Sequence, residues 1–532
     1  MPSKYSMTEI HCTKGIPYTK SCVGEARWHY AEDVGLWTGE SSTDFGKAPM
    51  QLSVTDKTSF FYKPPYLISE DCLTLNVWTP VSSERAGALS DTGLPVMVWI
   101  YGGGLLVGSS SDPVYDGAEL ARKGVVVVSF NYRLGVFGYF SHPALTEESP
   151  HQASGNYGTS DQIQALRWVK NNIERFGGDP GNVTIFGESA GALSVSHLLA
   201  SPLSKGLFHK AIMQSAYLPP MPELKKSHLN MLPAEEYGVR FAHQLGIRDE
   251  GIDGLNALRK IPAEQLLHAS ADFEFDKAIV DGLYFDKQVY ETFEQGRQHS
   301  LPVIAGFNSN EGSYFPLIGM VDTPISKEQY IEDIKAKYGD LAEAYLSVYP
   351  STDLHRSAYR SVGEGLYGWG TERLAKLIAK SGGNAYFYCF DHAPAWAEEK
   401  GIGAVHTLDL TYSFNNVKHN TKFSPTWPDM DARDSDLCMG ETLSDFWVSF
   451  ATTGIPQVAG QDQWQPYSDT DQYYMAFTNG SAELKVQLMP EVFALHEKIV
   501  QSRQEHDLDW TYKNIGILAP SVNNSDGGSS RS

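Results

Sequence analysis

One pentapeptide, Gly187-Glu188-Ser189-Ala190-Gly191, restricts what this chain can fold into more than any other stretch. Ahead of it runs Val183-Thr184-Ile185-Phe186, an apolar, β-branched strand pattern. Behind it runs Ala192-Leu193-Ser194-Val195-Ser196-His197-Leu198-Leu199, which can start a helix. A strand that becomes a helix within so few residues needs small side chains where the two backbones meet, and positions 187, 190 and 191 supply them. The pattern is that of a nucleophile elbow, a turn that holds one serine hydroxyl at the edge of a sheet. A bare G-x-S-x-G is common. Its place between a strand and a helix is what gives the reading weight.

A serine hydroxyl is a weak nucleophile at neutral pH. It needs a base, an acid to orient that base, and donors for the oxyanion formed during attack. After an elbow of this kind the acid and then the histidine are expected downstream. Donors are expected upstream, where Pro95-Val96-Met97-Val98-Trp99-Ile100 reads as a buried strand running into Tyr101-Gly102-Gly103-Gly104. The backbone N–H groups of Gly103 and Gly104, with that of Ala190, are the predicted oxyanion donors. A flexible loop or a phosphate cradle is the alternative, but neither G-x-G-x-x-G nor G-x-x-x-x-G-K-[ST] is present.

Two further strand patterns end near chemistry-bearing residues. Pro302-Val303-Ile304-Ala305-Gly306 leads to Phe307-Asn308-Ser309-Asn310-Glu311-Gly312. Ala385-Tyr386-Phe387-Tyr388-Cys389-Phe390 precedes Gly401-Ile402-Gly403-Ala404-Val405-His406. With 16 histidines in the chain, spacing alone does not choose the base. Core strands at 96–100, 125–130, 183–186, 302–305 and 385–390 alternate with helical segments, which predicts an α/β fold with a large, mostly parallel sheet. One helix is predicted with Ser160 as cap, a buried stripe of Ile163, Leu166, Val169, Ile173 and Phe176, and a stop at Gly177. Gln164, Arg167, Lys170 and Glu174 are expected on its outer face.

Residues 1–512 read as a single domain. Helical insertions at about 217–300 and 313–384 follow core strands, so they are expected to wall the pocket at the sheet's active edge. Residues 513–532 are set apart as a tail. Its Ser, Asn and Gly content, clearest from Pro520, predicts disorder. No apolar segment reaches the 18 residues of a membrane span.

Several longer motifs carry a resemblance. Met97-Val98-Trp99-Ile100-Tyr101-Gly102-Gly103-Gly104, Ser69-Glu70-Asp71-Cys72-Leu73-Thr74-Leu75-Asn76 and Asn131-Tyr132-Arg133-Leu134-Gly135 resemble the type-B carboxylesterase family, which spans carboxylesterases, cholinesterases, fungal lipases and para-nitrobenzyl esterases. Gly155-Asn156-Tyr157-Gly158 with Asp161-Gln162, and Phe176-Gly177-Gly178-Asp179-Pro180, are similar to it as well. The likeness runs from about Gly15-Ile16-Pro17-Tyr18 to about Gly454-Ile455-Pro456. It implies an α/β-hydrolase fold and a serine esterase acting on small-molecule carboxylic esters through an acyl-enzyme, without a cofactor. By the same resemblance Ser189 is the nucleophile, Glu311 the triad acid and His406 the base. Ser215 matches a buried serine near the acid, and Glu70 and Arg133 match a structural ion pair. A lipase, amidase or carbamate hydrolase on the same site is the alternative. Non-catalytic adhesion proteins of the neuroligin type lose the nucleophile, which this chain keeps.

The resemblance also exposes departures. Secreted members tie the cysteine matching Cys72 to one upstream, at a position held here by Met50. That bond cannot form, and Met1–Met7 lacks an apolar leader core, so a reducing compartment, the cytoplasm, is expected. Cholinesterases hold choline on a tryptophan between those cysteines. Here the interval carries Phe60, Phe61, Tyr62 and Tyr66 instead. Leu105 replaces the usual aromatic residue after the glycine triplet, which predicts an altered acyl pocket. The net charge of -22 argues against nucleic acid as a partner. No Cys/His group has zinc spacing, and the acidic run Asp429, Asp431, Asp434, Asp436 lacks the glycine and terminal glutamate of a calcium loop. No metal is expected.

Overall fold

The computed structural model describes residues 9–39, 42–81 and 93–521. The leader reading at Met1–Met7 and the part of the tail beyond Ser521 lie outside the described residues. The body is one 10-stranded sheet. Its strands are β1 (His11–Pro17), β2 (Thr74–Thr79), β3 (Leu94–Ile100), β4 (Val126–Phe130), β5 (Gly178–Glu188), β6 (Lys210–Gln214), β7 (Val303–Asn308), β8 (Ala385–Phe390), β9 (Tyr473–Thr478) and β10 (Ser481–Val486). They run in the order β1-β2-β4-β3-β5-β6-β7-β8-β9-β10. From β4 to β9 every pairing is parallel; only the edge pairs β1–β2, β2–β4 and β9–β10 are antiparallel.

The central strands are apolar on both faces. Val96 to Ile100 and Val126 to Val128 are wholly buried, as a parallel sheet covered by helices requires. Helices Ala190–Ala200, Trp369–Lys380 and Asp434–Thr453 pack on these strands. Chain order reverses around β3, and ligands of open α/β sheets bind at the carboxyl ends of strands beside such a reversal. Register fixes the heights there: Ile100 lies opposite Gly187, Glu188 opposite Gln214, and Gln214 opposite Gly306. The loops leaving β3, β5, β6 and β7 therefore start side by side.

Four sequence readings change. The helix expected to be capped by Ser160 starts four residues earlier and spans Tyr157–Asn172. Asn156 precedes it, and the Ser160 hydroxyl accepts the Ala31 N–H at 2.9 Å instead. Gly177 does close the following 3-10 turn in a left-handed conformation at φ 79°. Gln164 is buried rather than outward, because the chain around Tyr18 covers that face.

The expected pair of Glu70 with Arg133 is not formed. Arg133 donates from Nε and Nη2 to Asp161 at 2.8 and 2.7 Å, and its backbone N–H donates to the same carboxylate at 2.9 Å. Glu70 receives a two-pronged Arg27 at 2.6 and 2.7 Å. The early helix start explains this: it turns Asp161 inward one turn along, where it claims both the backbone and the guanidinium of Arg133. Residues 513–521 do not form a loose tail, since Ile515 and Ala519 are buried against the body. The acidic run is divided too. Asp429 pairs with Lys422 at 2.6 Å, whereas Asp436 holds Arg433 and His392.

Removing the cation from a buried pair leaves an uncompensated charge, at a cost of about 3–5 kcal/mol. Arg133→Met is therefore expected to lower the denaturant midpoint strongly through Asp161. Glu70→Gln, at a partly exposed pair, should lower it less. Chemical unfolding of the two variants checks the order.

Candidate active site

The strand β5 delivers its last residue, Glu188, into a turn where Ser189 takes φ 56°, ψ -125°. A non-glycine residue there is strained, and strain of this kind concentrates at functional turns. The helix Ala190–Ala200 begins at the next residue. A Cβ at Gly191 would lie 2.0 Å from the Ile100 carbonyl oxygen, so only glycine lets helix and β3 meet.

Gly102, Gly103 and Gly104 leave β3 beside this turn. Gly103 sits at φ 109°, and a Cβ on it would strike the Val107 carbonyl oxygen at 2.2 Å. Among the described residues, the N–H groups of Gly103, Gly104 and Ala190 donate to no protein acceptor. Leu105, also at positive φ, is buried and points away from the cavity, while Leu106 and Val107 face it. The change of shape expected at 105 therefore falls to its two neighbours.

Glu311 follows β7 and is buried. Its Oε1 accepts the Asn308 N–H at 2.8 Å and the Ser215 hydroxyl, while its Oε2 lies 2.6 Å from His406 Nδ1. Ser215 stands at the end of β6 and, like Ser189, has φ 56°. The second buried carboxylate, Asp409, faces elsewhere. Gln214 Nε2 donates to it at 2.6 Å and Asn308 Nδ2 at 3.1 Å. Burial raises the Asp409 carboxyl to about 6.

The outer nitrogen of His406 has a neighbour that sequence reasoning did not single out. Glu188 Oε1 lies 3.2 Å from His406 Nε2 and makes no hydrogen bond. Burial pushes the Glu188 carboxyl up to about 8 against the pull of His406. Burial by itself would lower His406, but Glu188 and Glu311 outweigh it and leave the imidazole raised to about 9. Tyr367 stacks on the His406 ring at 4.3 Å and 19°, and Tyr314 meets it edge-on at 5.1 Å. Tyr367 comes from a π-helical turn, Glu364–Gly368, between two α-helices. Such turns recur at functional sites, and nothing in the local sequence announces this one.

Ser189, Glu188, His406 and Gly102 to Gly104 open into one cavity of about 500 Å³. Its walls come from both insertions, through Tyr217, Met221 and Ala278 on one side and Tyr314, Ile318 and Leu366 on the other. Phe61 and Tyr66 add to them, as do Thr511 and Tyr512 from the far end of the chain. Lys63 pairs with Asp112, and Lys277 with Asp276 at 2.7 Å, so the two lysines in the lining are already neutralised. The five cysteines are free thiols, and Cys72 is buried near Met50 and Cys22. Among the described residues no helix is long and apolar enough to cross a membrane.

A histidine acting as base must be neutral, so raising its pKa moves the acid limb of activity to higher pH. Glu188→Gln removes the largest single charge effect on His406 while leaving the Glu311 hydrogen bond in place. The acid limb of kcat/KM is expected to shift to lower pH in that variant, and less in Asp409→Asn. A pH profile of both checks the order.

A model of the Carboxylesterase family matches residues 2–493. The chain is 35% identical over 463 residues to Fumonisin B1 esterase of Sphingopyxis macrogoltabida, covering 86% of this chain and 81% of that protein. It is 32% identical over 476 residues to Para-nitrobenzyl esterase of Bacillus subtilis (strain 168), covering 86% and 89%. It is 30% identical over 531 residues to the medium-chain Fatty acyl-CoA hydrolase precursor of Anas platyrhynchos, covering 93% and 90%.

Proposed function

Because the chain belongs to the carboxylesterase family and is a carboxylic ester hydrolase of α/β-hydrolase fold, we propose that it works through Ser189, His406 and Glu311 by way of an acyl-enzyme. Ser189 Oγ attacks the ester carbonyl and passes its proton to His406 Nε2. Glu311 holds Nδ1 and stabilises the imidazolium. The N–H groups of Gly103, Gly104 and Ala190 take the oxyanion. His406 then protonates the departing alcohol. Water, deprotonated by the same imidazole, releases the acid and restores Ser189.

The observation that carries this reading is the 2.6 Å contact between His406 Nδ1 and Glu311 Oε2 in the cavity that Ser189 enters. Ser215 and Asn308 fix the Glu311 carboxylate, which in turn selects the His406 tautomer whose Nε2 accepts a proton. The lining favours esters with extended apolar parts, since aromatic and aliphatic side chains make most of it. The buried free thiol of Cys72 supports a reducing compartment, the cytoplasm, as its place of work.

Ser189→Ala is expected to fold and to lose activity by about a millionfold, with Glu311→Gln costing less because it orients rather than reacts. Organophosphate labelling should vanish with Ser189. Labelling that persists on another serine would overturn the assignment. Thiol titration in denaturant should find close to five free cysteines in protein prepared without reductant. A count of three would remove the argument for the cytoplasm.

A further inference from the structure

We propose that His197 is a hydrogen-bonding subsite of the cavity, and that the natural substrate carries a neutral polar group (a hydroxyl, ester carbonyl or amide) remote from the ester that is cleaved. The proposal rests on Ser189 being the nucleophile.

Ser189, Leu193 and His197 stand at i, i+4 and i+8 at the head of and along the helix Ala190–Ala200. That spacing puts them on one stripe, and all three line the cavity. Eight residues rise about 12 Å. The side chain leans back toward the helix start, so its ring reaches a point about eight bonds from the reacting carbonyl.

His197 is only 3% exposed and lines the cavity. Its ring nitrogens are not among the sealed, partnerless polar atoms of the described residues, so they keep access to the cavity. The ring rests edge-on against Phe285 at 5.3 Å. A ring nitrogen that opens only into the cavity takes its partner from whatever fills the cavity, so a substrate group that seats against it must supply a hydrogen bond or leave the ring unpaired. Leu193, Met221 and Ala278 line the same cavity and offer no strong side-chain acceptor.

The partner's charge class follows from the surroundings. Burial drives His197 down to about 3, with no charged side chain among the described residues opposing it. The ring is neutral across the working range, with one donor and one acceptor. It matches a hydroxyl, carbonyl or amide. A carboxylate there would be buried without a counter-charge.

The test uses two series of graded length. One is nitrophenyl esters of ω-hydroxy acids against methyl-ended acids of matched length. The other is monoacetates of diols against acetates of matched alkanols. The measured quantity is the ratio of kcat/KM for the polar member over its apolar match, with active sites counted by organophosphate titration.

In the native protein the ratio should peak at one length in one of the series. His197→Leu should lower that peak about tenfold, and His197→Gln should recover part of it. A native protein with no peak in either series overturns the proposal even if neither variant folds. So does a peak that His197→Leu leaves in place, or a stronger preference for ω-carboxylates. Turnover that survives Ser189→Ala would instead bring down the reading of the nucleophile.

Discussion

The molecule depends on one close approach. Helix Ala190–Ala200 starts directly after β5 and presses against the end of β3, with no room for a Cβ at Gly191. That contact fixes three things together. It strains Ser189 into its turn on the cavity wall, it sets the Gly102–Gly104 loop alongside, and it starts the helix at Ala190, whose N–H is free, right beside them. Parallel pairing carries the alignment outward, so Ser215 and Glu311 leave β6 and β7 on the same edge.

Around this frame the charges are held unusually close. Two buried carboxylates, Glu188 and Glu311, flank one imidazole, and a third, Asp409, lies buried nearby. Each is handled differently. Asp409 is satisfied by Gln214 and Asn308, Glu311 by Ser215, Asn308 and the imidazole, and Glu188 by nothing but its distance from His406. The protein thus separates an orienting carboxylate from one whose effect on the base is through space.

The elements legible in the sequence are those set by local pattern. The strands at Val96, Val126, Val183, Val303 and Ala385 announce themselves as β-branched or aromatic apolar runs, and the elbow by its glycines. β6 at Lys210–Gln214 escapes such a reading because a lysine opens it and a glutamine ends it; both are buried by neighbours far away in the chain. The hairpin β9–β10 escapes it because its outer strand alternates with charge. Partners are the least legible. Arg133 turns to Asp161, Gln164 turns inward, and Tyr367 reaches His406 from a π-helical turn, each through a tertiary contact that no spacing encodes. Glu188 sits in plain view within the motif, yet its meeting with His406 joins residues 218 positions apart.

The late part of the chain gives the architecture a temporal side. Thr511 and Tyr512 close one wall of the cavity, and Trp510 Nε1 fastens that stretch by donating to the Leu218 carbonyl at 2.9 Å. During synthesis from the amino end, the serine, the acid and the histidine all emerge well before this wall. A nascent chain stopped short of residue 510 would already hold every reacting group while its pocket still lay open to bulk water. The binding cavity is therefore complete only once residues 510–512 have been made and have docked on the Leu218 segment.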